Sequence, residues 1–181
     1  LGTAAVSAPE LRRAIQAEQG SERGVVSREQ LAIAIADARS HGERVVFTNG
    51  CFDIIHAGHV TYLEQARQQG DRLVVAVNDD DSVRRLKGSG RPVNPVDRRM
   101  AVLSGLEAVD WVVSFDEDTP IPLLEALKPD VLVKGGDYGD KTGVVGWEVV
   151  EGYGGEVKVL SLVATVSTTD ILHRMQARPE D

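Results

Sequence analysis

Residues 47–59, Phe-Thr-Asn-Gly-Cys-Phe-Asp-Ile-Ile-His-Ala-Gly-His, decide how this chain is interpreted. The apolar residues 45–47 that lead into them are typical of a buried parallel strand, and Asn49 with Gly50 can end that strand in a turn. Helical spacing follows, so a helix is predicted to begin near His59. Free N–H groups at a helix start attract anions, and Gly58 lets a phosphate approach the backbone.

His56 and His59 strengthen this prediction. An imidazole can donate a hydrogen bond, or positive charge, to a phosphate oxygen. Both side chains could instead only cap or pack, but their spacing in a strand-to-helix turn favours an anion site. Zinc is not favoured, because one cysteine and four histidines offer no pair of ligand pairs at zinc spacing. Nothing near Cys51 marks it as a nucleophile, so it is expected to pack as a small hydrophobe.

Composition narrows the function classes. The chain has 181 residues, a formal net charge of −8, 4% aromatic residues and one cysteine. One domain plus an extension fits this length, without a disulfide framework. The absence of a signal peptide and of a long apolar segment predicts a cytoplasmic protein with no membrane partner. The acidic charge argues against nucleic acid, whereas basic residues at 84–87 and 91–99 fit a small anionic ligand.

Strands and helices alternate along residues 24–181, which are predicted to form one domain preceded by a tail or linker at 1–23. Ser27 and Gln30 predict a capping box. Asn94 before Pro95, and Thr119 before Pro120, predict caps followed by proline at the first helical position. The predicted strands are 45–48, 73–77, 111–115, 131–133 and 157–160, and the predicted helices are 9–17, 27–41, 59–69, 95–106, 119–127, 143–152 and 167–176.

This alternation predicts an α/β fold: a Rossmann-like, doubly wound, mostly parallel five-stranded sheet with ligands at the carboxyl ends of its strands. Three other segments fit a nucleotide there. Residues 87–92 form a glycine-rich loop with cations that could close over a triphosphate. Gly135 and Gly136 permit close approach of a flat ring, and residues 167–169, Ser-Thr-Thr, open the last helix. Taken alone, residues 87–92 would be interpreted as a solvated loop and residues 167–169 as an ordinary cap, while residues 135–136 could equally be a plain turn. No Walker loop or dinucleotide fingerprint is present.

Together these segments resemble the cytidylyltransferase-like nucleotidyltransferases. The closer resemblance, over residues 24–176, is to the adenylyltransferase domain of the bifunctional heptose 7-phosphate kinase/heptose 1-phosphate adenylyltransferases. The stretches that carry it are 48–53, 85–88, 91–95, 107–115, 134–138 and 167–169. Residues 1–23 resemble the end of the sugar-kinase half, whose core would then be absent here. Residues 163–166 lack the basic residue that cytidylyltransferases often carry, which agrees with the heptose family.

The resemblance implies transfer of AMP from ATP to D-glycero-β-D-manno-heptose 1-phosphate, giving ADP-heptose for the lipopolysaccharide core and pyrophosphate. Mg²⁺ is expected to bridge the phosphates, and we expect a homo-oligomer, fused to or working with a heptose kinase domain. The implied catalytic residues are His56, His59 and Lys87. The implied nucleotide contacts are Gly50, Cys51, Phe52, Gly58, Arg91, Arg99, Gly135, Gly136, Ser167, Thr168 and Thr169. The implied substrate contacts are Asn49, Asp53, Asp80 and Asp137, and metal ligands stay open.

Three alternatives stay open. A cytidylyltransferase acting on glycerol 3-phosphate or a similar alcohol phosphate would prefer CTP. A fragment of a class I aminoacyl-tRNA synthetase would share the His-x-Gly-His element, but the short length, the acidic charge and the missing lysine-serine loop argue against it. A non-catalytic nucleotide-binding module would bind nucleotide and release no pyrophosphate.

Overall fold

The computed structural model describes Ser7, residues 23–136 and residues 140–161. In this part of the chain six strands form one sheet with every pairing parallel, in the order β1-β4-β3-β2-β5-β6. The strands are β1 (Gly24–Val25), β2 (Val45–Gly50), β3 (Arg72–Asn78), β4 (Trp111–Phe115), β5 (Val131–Gly135) and β6 (Glu156–Leu160). The helices are α1 (Arg28–Ser40), α2 (Ala57–Arg67), α3 (Asp80–Lys87), α4 (Val96–Ser104), α5 (Ile121–Leu127) and α6 (Trp147–Gly152).

Helices cover both faces of the sheet, and each face has its own apolar core. Helices α1, α5 and α6 pack on one face, and α2 and α4 pack on the other. Alternation along β2 sends Phe47 into the first core and Val46 into the second. Both side chains are fully buried, as expected for a parallel strand covered on both faces. The predicted α/β doubly wound fold is therefore confirmed.

The strand count and one helix differ from the predictions. Five strands were predicted and six are present among the described residues. The additional strand, β1, has only two residues, which is too short for a periodic signal. Helix α3 is absent from the predicted helices, because only Ser82 and Val83 are buried among its charged side chains. Asp79 caps this helix by accepting the Ser82 N–H at 2.7 Å. The predicted helices 9–17 and 167–176 lie outside the described residues.

The first residues of the helices can be compared with the caps predicted from the sequence. The Ser27 hydroxyl accepts the Gln30 N–H, and the Gln30 side chain accepts the Ser27 N–H at 2.9 Å, which confirms the capping box. Two helices, α4 and α5, begin one residue later than the predicted caps imply. Pro95 and Pro120 are their N-cap residues rather than their first helical residues. Helix α2 begins at Ala57, slightly earlier than predicted. Within the described ranges, no helix is both long and apolar enough to cross a bilayer.

The strand order places a crevice between β2 and β5. Strands β3 and β4 continue the sheet on one side of β2, whereas β5 and β6 extend it on the other. The strands that follow β2 in the chain are thus added first on one side of it and then on the other. Open α/β sheets bind ligands at the carboxyl ends of the strands beside such a point. Asn49 and Gly50 end β2 there, and Lys134 and Gly135 end β5.

Candidate nucleotide site

The start of α2 brings three aromatic side chains together at the end of β2. His56 is the N-cap, with an extended backbone, and its carbonyl accepts the His59 N–H at 2.9 Å. The two imidazole rings therefore stack, with centroids 3.9 Å apart. Phe52 packs against His59 at 5.4 Å and has a left-handed φ of 47°. The structure thus joins both predicted histidines and Phe52 in one cluster.

Three buried polar atoms in this region have no hydrogen-bond partner among the described residues. The Nδ1 atoms of His56 and His59 and the Oδ1 atom of Asn49 are buried and make no hydrogen bond within the described part of the chain. An unsatisfied buried polar group costs about 1–3 kcal/mol, so native proteins seldom leave one without a ligand or water. The side chain of His56 also makes no capping bond, which leaves the first-turn N–H groups of α2 to other acceptors. This arrangement fits an anionic ligand at the helix start.

Electrostatics define what His59 can contribute. Burial, together with the neighbouring His56, lowers the pKa of His59 to about 4. The ring is therefore neutral near pH 7 in the free protein. A neutral imidazole donates one hydrogen bond but adds no positive charge. Of the two contributions predicted from the sequence, a donor or a charge, the free protein offers the donor at His59.

Asp53 lies in the same turn but is tied to the protein. Its carboxylate accepts the Arg91 Nε–H at 2.6 Å, both oxygens accept the Val93 N–H at 2.9 Å, and Oδ1 accepts the Asn94 N–H at 2.8 Å. Burial alone would raise the pKa of Asp53, but these backbone and arginine donors outweigh it and hold the pKa below its usual range. Asp53 and Arg91, predicted to contact substrate and nucleotide, therefore bind each other and brace the loop before α4.

Arg99 is also engaged by the protein. Its side chain is fully buried and donates to the carbonyls of Asn94, Cys51 and Asn78 and to the Asp80 carboxylate at 2.7 Å. These bonds connect α4, the ends of β2 and β3 and the first turn of α3. The predicted nucleotide contact Arg99 and the predicted substrate contact Asp80 thus form a buried bracket beneath the site, and their ligand roles stay predictions.

The remaining predicted residues divide by position. Lys87 ends α3 and is exposed, at the start of the loop through Gly88. Gly50 has a packing reason for its identity, because a Cβ there would lie 3.0 Å from the Phe52 ring. Gly58 is buried in the first turn of α2.

Gly135 ends β5, and Gly136 follows with a φ of 142°, which favours glycine. Asp137, Ser167, Thr168 and Thr169 lie outside the described residues.

One functional candidate was missed. Lys134, the penultimate residue of β5, donates from Nζ to the Asn49 carbonyl at 2.8 Å across the crevice. Its burial lowers its pKa to about 8. Cys51 lies near it, and burial raises the pKa of this thiol, in keeping with the predicted inert role. A lysine at the end of an otherwise apolar buried strand was the sequence signal for Lys134.

Metal ligands are sparse. In residues 23–136 and 140–161, no group of three or more histidine, cysteine or acidic side chains could hold a metal ion. The acidic residues nearest the site, Asp53 and Asp80, are paired with arginines. The described side chains therefore do not fit a dedicated metal cage.

This protein has a parallel sheet covered by helices, and a helix start that can bind an anion lies where the strand order reverses. These two features define the class of nucleotide-binding α/β proteins. The sequence profile of the Cytidylyltransferase-like family matches residues 47–174, and the chain belongs to this family. It is therefore a nucleotidyltransferase, which confirms the resemblance found in the sequence.

Curated relatives support this placement. The chain is 72% identical over 178 residues to the bifunctional protein HldE of Pseudomonas aeruginosa (strain LESB58), which covers 98% of this chain and 37% of that protein. It is 72% identical over 176 residues to the bifunctional protein HldE of Ectopseudomonas mendocina (strain ymp), covering 97% of this chain and 37% of that protein. The chain thus spans little more than a third of the length of these relatives.

Solved structures give the same fold. A lipopolysaccharide core biosynthesis protein from Thermoplasma volcanium GSS1 is similar with a TM-score of 0.57 and 28% identity, over 69% of this chain and 100% of that one. Pantoate-beta-alanine ligase from Francisella tularensis has a TM-score of 0.58 at 13% identity, over 85% of this chain and 77% of that one, which supports the fold alone.

Proposed function

We propose that this nucleotidyltransferase transfers AMP from ATP to D-glycero-β-D-manno-heptose 1-phosphate, releasing pyrophosphate and ADP-heptose for the lipopolysaccharide core. The observation that carries the proposal is the pair of stacked histidines at the start of α2, beside the crevice between β2 and β5, whose Nδ1 atoms have no partner among the described residues. The similarity to bifunctional HldE proteins over nearly the whole chain supports the substrate. The lipopolysaccharide core protein with the same fold is consistent with it.

The chemistry needs charge stabilisation more than proton removal. An oxygen of the sugar phosphate attacks the α-phosphorus of ATP, the bond from that phosphorus to the β-phosphate bridging oxygen breaks, and its electrons leave with pyrophosphate. The attacking phosphate monoester already carries about −1.5 to −2 charges at pH 7, so it needs no general base. The enzyme must align two anions and stabilise the charge that develops during transfer.

The residues of the site can divide this work. Neutral His59 donates a hydrogen bond to a phosphate oxygen, and the first-turn N–H groups of α2 add the positive end of the helix dipole. His56 lies against His59 and offers a second donor at the same place. Lys87, exposed at the end of α3, supplies a mobile charge for the triphosphate, and Gly135 with Gly136 border the base.

Mg²⁺ is part of this proposal as the complex that it forms with ATP. Because the described side chains offer no cage for the ion, we expect phosphate oxygens and waters to be most of its ligands, as is usual for Mg²⁺ at triphosphates. The roles proposed for the chain's own residues do not depend on the position of the ion.

The relatives also suggest the protein's context. We propose that residues 1–23 connect residues 24–181 to a heptose kinase domain, since the HldE relatives are bifunctional and much longer than this chain. The domain would act in the cytoplasm, where ATP is available, as a homo-oligomer. Size-exclusion chromatography with light scattering tests the last point, and a mass equal to one chain would contradict it.

The function is tested by incubating the protein with ATP, Mg²⁺ and a panel of sugar 1-phosphates. The expected result is a nucleotide sugar and one equivalent of pyrophosphate with the heptose 1-phosphate, and far less with hexose 1-phosphates. A parallel arm replaces ATP by CTP and the sugar by glycerol 3-phosphate. Preference for that arm would overturn the proposal in favour of cytidylyl transfer, and nucleotide binding without pyrophosphate in any mixture would indicate a non-catalytic module.

A further inference from the structure

Lys134 is a cation without an anionic partner among the described residues. Its Nζ atom donates to the Asn49 carbonyl at 2.8 Å, which uses one of the three N–H groups of the ammonium. Within the described residues no carboxylate lies within ion-pair distance of it. Two other cations lie near this crevice: fully buried Arg99 is paired with Asp80, and half-buried Arg91 is paired with Asp53. Lys134 therefore differs from the arginines that brace the loops.

The position of Lys134 also differs from that expected of a purely structural residue. It lies at the carboxyl end of β5, beside the crevice where the sheet reverses, and it remains partly accessible to solvent. Asn49, which supplies the anchoring carbonyl, also carries a buried Oδ1 with no partner among the described residues. A half-buried cation with no carboxylate partner and a buried, unsatisfied side-chain oxygen, both among the described residues at one crevice, are costly unless a ligand completes them.

We propose that Lys134 is a phosphate-binding residue of this site, whose ammonium is held by the Asn49 carbonyl and contacts a phosphate group of one of the substrates. The inference rests on the proposed function and adds a residue to it. With a pKa of about 8, most of the amine is protonated at neutral pH, and a bound phosphate stabilises the charged form further. The phosphate belongs either to the sugar phosphate or to ATP, and the two sources are separable by experiment.

The first test compares Lys134→Met with Lys158→Met. Lys158 lies on the adjacent strand β6, is also half-buried, and contacts Glu156 and Gln69 rather than the crevice, so its loss controls for removing a lysine from this sheet. The expected result for Lys134→Met is a rise of about 10- to 100-fold in the KM of one substrate, with unchanged circular dichroism. A rise for ATP or for the sugar phosphate alone identifies the source of the phosphate. Both KM values within twofold of those of Lys158→Met would overturn the proposal.

A second test uses the unmodified chain, so it holds even if Lys134→Met does not fold. The ¹³Cε resonance of Lys134, assigned by its loss in Lys134→Arg, is titrated with pH alone, with α,β-methylene-ATP and with the sugar 1-phosphate. The expected result is a pKa raised by at least one unit with one ligand. An unchanged pKa at saturation with both ligands would refute the contact. If no sugar phosphate is a substrate, the proposed function fails while the arm with the ATP analogue still decides the role of Lys134.

Discussion

Two regions beside the same crevice treat their polar groups in opposite ways. At the start of α2, the buried Nδ1 atoms of His56 and His59 have no partner in the described structure. By contrast, the side chains of Asp53, in the same turn, and of Arg99, on α4, are hydrogen-bonded to other parts of the protein. We call the first the histidine pair and the second the arginine bracket, meaning Asp53, Asp80, Arg91 and Arg99. The difference separates motif residues whose polar atoms have no partner among the described residues from motif residues that hold the loops and strand ends together.

The largest expected effect tests the bracket. Arg99→Met removes the donor of four hydrogen bonds and leaves Asp80 and three carbonyls without it. Because breaking a buried ion pair leaves an uncompensated charge, the free energy of unfolding should fall by about 3–5 kcal/mol. Urea denaturation followed by circular dichroism measures it.

Arg98→Met is the matched control, since Arg98 is the exposed neighbour on α4. It should change the free energy of unfolding by no more than about 0.5 kcal/mol. Equal losses in the two variants would mean that the bracket does not stabilise the fold.

The next effect tests the histidine pair. His59→Ala removes the donor predicted for the transferring phosphate, so kcat should fall by about 100- to 1,000-fold, as for other transition-state donors. Pyrophosphate release measures it. Thermal stability should fall only modestly, because the Nδ1 atom makes no hydrogen bond to the described residues and only the ring packing with His56 and Phe52 is lost.

His41→Ala controls for loss of an imidazole, since His41 is exposed at the end of α1. It should leave kcat unchanged. Near-normal turnover in His59→Ala would remove the distinction between the two regions.

A smaller effect is expected at Asp53. Asp53→Asn keeps the shape but removes the charge that Arg91 and two backbone N–H groups bind, so the free energy of unfolding should fall by about 1.5–3 kcal/mol at pH 7. Since the folded pKa of Asp53 lies below its unfolded value, this stabilisation is present above pH 4 and is lost as the pH falls through the folded pKa.

Denaturation curves at pH 7 and pH 3 measure the dependence. The difference between Asp53→Asn and the unmodified protein should shrink at pH 3, whereas exposed Asp81→Asn should have little effect at either pH. A difference that is equal at both pH values would contradict the role given to the Asp53 charge.

The smallest effect concerns the protonation of His59 and the pH dependence of stability. With its pKa near 4, His59 binds no proton between pH 8 and pH 6 in the free protein, so its imidazole resonances should stay constant over that range. An ordinary histidine would titrate near 6.5. The free energy of unfolding should decrease below about pH 6.5, because His59 is then protonated in the unfolded chain but stays neutral in the folded chain until the pH nears 4. A midpoint near 6.5 for His59 in NMR titration would show that the free protein offers a charge rather than a neutral donor.

Local signals determined much of what the sequence predicted correctly. The capping box at Ser27, the strand-to-helix turn at residues 47–59 and the alternation of strands and helices all depend on neighbours within a few positions. Helix α3 was missed because a charged surface helix lacks apolar periodicity. The roles first given to Asp53, Asp80 and Arg99 could not be separated from those of the histidines, since all of them are polar residues in or near the same motifs.

By itself the sequence determined the fold class, the family resemblance and the placement of both histidines at a helix start, because turn chemistry and periodicity act over short distances. Only the tertiary structure decided which polar groups were already satisfied. Arg91 meets Asp53 across 38 residues, Arg99 meets the Cys51 carbonyl across 48, and Lys134 meets the Asn49 carbonyl across 85. Such pairings depend on how the strands are ordered in the sheet, so burial and partnership, rather than residue type, separate the groups left for a ligand from those that hold the fold.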